Sequence, residues 1–94
     1  MSIVRVTLFR WDVKKNAKLL EERGICFEDV LLQIEAGDIL EVIPGKGKYS
    51  HQKQFIVAVN GYAHVIPYVE NQEEIFLKTI IPSRAMTKKY LRGE

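Results

Sequence analysis

The chain has 94 residues, 47% hydrophobic and 28% charged, with a net charge of +2. Those totals fit one folded domain, 1–94, and exclude a disordered chain; no apolar run approaches the roughly 20 residues that span a bilayer. The single cysteine, Cys26, cannot close an internal disulfide and fits a reducing cytoplasm. The opening "MSIVRVTLFRW" lacks a signal peptide's apolar core and cleavage site, so a cytoplasmic, membrane-free protein is expected.

Charge is unevenly placed. Residues 1–20 hold five Lys/Arg and one Asp, and residues 78–94 hold five Lys/Arg and one Glu. Residues 21–41 hold seven acids and one Arg. The pattern fits either ordinary solvated faces or a basic surface for a polyanion opposite an acidic helix.

In chain order, "VRVTLFRW" alternates as a strand with Val4, Val6 and Leu8 on one face. Asp12 is a predicted N-cap for a helix over "VKKNAKLLEERG", whose Val13, Ala17 and Leu20 repeat at helical spacing before Gly24. "CFEDVLLQIEAG" is a second helix with Phe27, Val30, Leu31 and Ile34 as its apolar stripe, and Cys26 fills space at its start. "DILEVIP" is a strand and "GKGKYSHQ" a basic loop. "KQFIVAV" and "YAHVIPYV" form a hairpin about Asn60-Gly61. "EIFLKTIIP" is the last strand, and Ser83 starts a short basic helix over "SRAMTKKYL". The order gives an α+β fold: a mainly antiparallel sheet with two N-terminal helices on one face and a short C-terminal helix.

The two-residue turn pairs Val59 with Tyr62, Val57 with His64, Phe55 with Ile66 and Lys53 with Tyr68. One face then carries Lys53, Phe55, Val57, Tyr62, His64, Ile66 and Tyr68. The other carries Ile56, Ala58, Ala63, Val65 and Val69, which makes it the expected seat of the helices and leaves the His64 face open. For the next connection, a four-residue loop sets Lys78 opposite Val65, under the helices, where an unpaired ammonium costs several kcal/mol. A five-residue loop pairs Ile66 with Lys78, buries Ile75, Leu77 and Ile81, and turns Lys78 to the His64 face. The second register is preferred, with Arg84 within reach of the same surface.

Nothing in the chain has the spacing of a phosphate-binding glycine loop, a metal site or a catalytic triad, so no metal and no cofactor are expected. A histidine among Tyr, Lys and Arg suits metal-free chemistry at a phosphodiester. Its imidazole takes a proton near neutral pH, the cations offset charge on phosphoryl oxygens, and a tyrosine stacks on a base. Each residue also has a plain alternative: cross-strand packing for Tyr62 and Tyr68, snorkelling for Lys53 and Lys78, and helix-end placement for Lys88 and Lys89.

"FRWDVKKNAKLLEERGICFEDV" and "EEIFLKTIIPSRAMTKKY" resemble the opening and closing segments of BrnT-type toxins of bacterial toxin–antitoxin pairs. The resemblance implies a RelE-like fold, metal-independent cleavage of RNA, free or ribosome-bound, and an antitoxin protein as partner. Carried over by position, it places Ser83 and Arg84 at the family's turn and Lys53 at a basic strand residue. Lys78 corresponds only approximately to its strand arginine, because "PSR" shifts the spacing by one. On this reading His64, Lys78 and Arg84 are the candidate catalytic residues, and Lys53, Tyr62, Tyr68, Ser83 and Lys88 the candidate RNA contacts. The rival readings are a non-catalytic protein-binding or degenerate toxin module on the same fold, and a small nucleic-acid-binding protein.

Overall fold

Asn60 and Gly61 both have positive φ, 54° and 75°. That is the requirement of a type I′ turn, whose twist matches that of the strands it joins. In the computed structural model, which describes residues 8–49 and 51–92, this turn connects β3 (Gln52–Val59) to β4 (Tyr62–Glu70). The register is the expected one, from Val59↔Tyr62 through Lys53↔Tyr68.

The remaining strands assemble on this hairpin. They are β1 (Leu8–Arg10), β2 (Ile39–Pro44), β5 (Glu74–Leu77) and β6 (Ile81–Pro82), with sheet order β1-β5-β4-β3-β2 and β6 also on β4. All contacts are antiparallel except β1 with β5. Val4 and Val6 lie outside the described residues. Helices α1 (Val13–Arg23), α2 (Phe27–Glu35) and α3 (Arg84–Leu91) complete the α+β fold. No helix among the described residues is long and apolar enough to cross a membrane.

Asp12 caps α1, its carboxylate accepting from the amides of Lys14 and Lys15, and Gly24 closes the helix at φ 69°. The buried face of α1 is not the expected stripe. Leu19 is buried, while Val13 and Leu20 are 77% and 54% exposed. The helix is turned because Asn16 faces α2: its Oδ1 accepts from the Phe27 amide at 2.6 Å and its Nδ2 donates to Glu28 at 2.6 Å. Asn16 thereby satisfies one of the free amides at the start of α2. Cys26 serves as that helix's N-cap, held by Asp29 through both its amide and its thiol, rather than as simple apolar filler.

The hairpin's two faces are not divided as expected: the N-terminal helices lie on the His64 face, and the other face is covered as well, with Ile56 and Ala63 buried and Ala63 held by Thr87 of α3. Leu19, Ile25, Phe27 and Val30 pack against Phe55, Val57, Val59, Ile66 and Tyr68, so the two N-terminal helices cover the His64 face. That face carries the large side chains, and only they fill the space between a sheet and a helix layer about 10 Å above it.

The β4–β5 connection follows neither of the two expected registers. Tyr68 pairs with Leu77 and Glu70 with Ile75. Asn71 sets this length, its Oδ1 accepting from the amides of Glu73 and Glu74. The expected single strand then breaks at residues 78–80, and the register advances by one, so that Ile81 lies opposite Val65 and Pro82 opposite His64. Leu77 and Ile80 are both buried, whereas Ile81 is 45% exposed.

α3 is docked through Thr87, which is 2% exposed. Its hydroxyl accepts from the Ala63 amide at 2.8 Å and donates to the Ser83 carbonyl at 2.8 Å. Thr87→Val keeps the shape but leaves the Ala63 amide buried and unpaired, with an expected loss of about 1–3 kcal/mol in urea unfolding. Asn16→Ala removes the inter-helix cap and is expected to cost about 1 kcal/mol in the same measurement.

Candidate nucleic-acid interface

His64 sits between Val57 of β3 and Pro82 of β6 and is 9% exposed. Two residues earlier on the same face, Tyr62 presents its ring edge-on to the imidazole, with centroids 5.8 Å apart and planes at 68°. Together with Arg23, Gly24, Asn60 and Pro82 they line a hollow of about 270 Å³.

Tyr62 also lines a second hollow of about 420 Å³, with Arg84, Thr87, Lys88 and Arg92. The cations are brought there by helix geometry. Ser83 caps α3, its hydroxyl accepting from the Met86 amide at 3.2 Å, and so fixes Arg84 as the first helical residue. Arg84, Lys88 and Arg92 then follow at four-residue intervals along one face. Tyr62 is thus a shared wall, with a histidine on one side and three cations on the other.

His64 is electrostatically unusual. Burial pushes its imidazole below the ordinary histidine value, and the nearby Tyr62 backbone offsets this only in part. Its Nδ1 is buried without a hydrogen-bond partner among the described residues. Burial disfavours the charged ring, so the neutral form is favoured. A buried, unsatisfied ring nitrogen beside a hollow is a feature that ordinary packing avoids.

Of the residues singled out in the sequence, Tyr62, His64, Arg84 and Lys88 come together, and Ser83 supports Arg84 as its cap. Three others do not join them. Tyr68 is 4% exposed and stacked on Phe55, centroids 4.0 Å apart, so it packs the core and offers no open ring. Burial, with Glu70 nearby, raises its phenol pKa. Lys53 pairs with Glu70, which raises the lysine's pKa. Lys78 is exposed and donates its amide to the Pro67 carbonyl, while His64 faces Pro82. It follows the buried Leu77 and turns to the opposite face. The lysine is kept off the core as expected, but not by joining His64.

Two further cations belong to the site although the sequence reading does not single them out, Arg23 and Arg92. Arg92 continues the four-residue series from Arg84, a signal visible in the sequence. Arg23 reaches the site by donating to the Ile80 carbonyl at 3.1 Å, a contact 57 residues away that local patterns do not reveal. Among the described residues, no three His, Cys, Asp or Glu side chains gather where they could hold a metal ion.

No family model and no curated protein sequence matches the chain. Among solved structures it is similar to the crystal structure of a histidine-to-glutamine mutant of YafQ from E. coli, with a TM-score of 0.51 and 12% identity. The match covers 86% of this chain and 98% of that one. The fold is RelE/YafQ-like. At that identity the likeness is one of architecture, and the side chains must be read from this chain alone.

The lowered His64 pKa gives a stability signature. As pH falls below about 6.5, the unfolded chain takes up the proton before the folded one does. The stability due to this group is therefore complete above pH ~6.5 and declines as pH drops towards the lower folded value. Thermal unfolding followed from pH 7.5 to pH 5 should show this decline in the wild type, and His64→Gln should remove that part of it.

Proposed function

We propose that the protein is the toxin of a bacterial toxin–antitoxin pair and a metal-independent endoribonuclease, with Tyr62, His64, Arg84 and Lys88 as its working residues. The observation that carries this reading is Tyr62 standing between a histidine-lined hollow and a cation-lined one. A flat ring beside cations accommodates a base next to its phosphate, and a neutral imidazole is at hand to take a proton. The RelE/YafQ-like fold supports the reading, since YafQ is a RelE-family toxin. The BrnT-like motifs at the two ends of the chain agree, and they imply a cognate antitoxin as partner.

In this mechanism His64 removes the proton from a ribose 2′-hydroxyl as its oxygen attacks the adjacent phosphorus. The O2′–P bond forms, the P–O5′ bond breaks, and the departing 5′ oxygen takes a proton from solvent. Arg84 and Lys88 offset the charge that builds on the phosphoryl oxygens. Tyr62 stacks on the neighbouring base. The products are a 2′,3′-cyclic phosphate and a 5′-hydroxyl.

The low exposure of His64 favours a second reading, a binding module on the same fold in which the cationic wall grips a partner and no bond is broken. Expression alone in a bacterium, followed by RNA cleavage assays in EDTA, separates the two. Growth arrest and cyclic-phosphate ends are expected for the toxin, with His64→Gln and Arg84→Ala each slowing cleavage about 100-fold. Because the neutral imidazole is the active form, the rate should hold from pH 8 down to about 6.5 and fall only in more acidic buffer. Full toxicity in the His64→Gln variant decides for binding, and harmless expression without cleavage removes the toxin reading.

A further inference from the structure

The cationic surface continues past His64. A third hollow, of about 170 Å³, is lined by Lys15, Lys18, Leu19, Glu22, Arg23 and Thr79. It shares Arg23 with the histidine hollow, as that one shares Tyr62 with the α3 hollow. The three depressions therefore follow one another across the molecule, joined first at an aromatic ring and then at a guanidinium. Helical spacing accounts for the far end, since Lys15, Lys18, Glu22 and the base of Arg23 fall on one side of α1.

We infer that this series is a track for a single-stranded polynucleotide, entering over α3, passing Tyr62 and His64, and leaving over Arg23 and the lysines of α1. The inference rests on the RNA reading above and extends it, by assigning substrate length and a strand path. The chemistry suits a strand rather than a mononucleotide: cations recur on both sides of one stacking ring, and repeated phosphates are the ligand with that repeat. Arg23 is a fixed point on the path. One of its five donors holds the Ile80 carbonyl, which sets the side chain between two hollows. The acid in the track is Glu22, 3.9 Å from Lys18 with both side chains more than half exposed. A pair so exposed is weak, and Lys18 exchanges it readily for phosphate.

The test is anisotropy titration of the full chain with labelled 2′-O-methyl RNA, which lacks the attacking hydroxyl, as a strand of about a dozen nucleotides and as a trimer. The variants, all at exposed positions of α1, are the double Lys15→Ala/Lys18→Ala and the single Glu22→Gln. For the long strand the double variant should lose about tenfold in affinity, and the slope of log K against log salt should fall by about 0.7 per lost contact. Trimer binding should not change. Glu22→Gln should bind the long strand about threefold more tightly, a gain that a damaged fold cannot imitate. Long-strand binding unchanged in both variants overturns the track while leaving the Tyr62–His64 site standing. Wild-type protein that binds neither strand overturns the RNA reading itself, and the track with it.

Discussion

The two rings at the centre of the candidate interface, Tyr62 and His64, are placed by a two-residue turn. With Asn60 and Gly61 both at positive φ, the twist of β3 and β4 is set and their pairing has one register. A slip of one residue would send His64 and Tyr62 to the other side of the sheet and put Ala63 and Val65 under the helices. The core would lose its large side chains and the interface its histidine together. Turn, core and site are one constraint seen from three distances.

The surroundings of His64 show how burial biases a sheet position chemically. Helices α1 and α2 cover its face, and Pro82 of β6 lies opposite it. Water is displaced on several sides, so the neutral ring is preferred. The cations stand beyond Tyr62 on α3, or at the end of α1. Tyr62 lies between the group that would move a proton and the α3 cations that would hold phosphate.

The elements and the hairpin register are legible in the sequence because each rests on local chemistry: Asp12 and Ser83 as caps, Gly24 as a stop, Asn60-Gly61 as a turn. The faces are not legible, because polarity misleads there. A face with two tyrosines, a histidine and a lysine looks wet, yet Tyr68 and His64 are buried, since their bulk is what the helices need beneath them. The position of Lys78 depended on the length of a connection, and Asn71 held the clue. Its side chain bonds the two amides that set the β4–β5 loop, a local turn signal that hydrophobic alternation alone overlooks. The irregularity at residues 78–80 has no such marker. It follows from the need to bury both Leu77 and Ile80, and that need exists only once the core is assembled.

The attachment of α3 bears on how the protein behaves in time. An eight-residue helix does not persist alone in water, so α3 owes its existence to its docking on β4 and to the buried Thr87 hydroxyl. A short helix held by docking opens at a lower free energy than the sheet and exchanges its amides sooner. Two of the three cations beside Tyr62 belong to that unit, and Arg92 follows directly after it. A polyanion bound in the hollow, as proposed above, would therefore favour the closed helix by mass action. On that reading, occupancy and the order of this segment are one equilibrium, and fastening α3 more firmly would raise affinity without any change of charge.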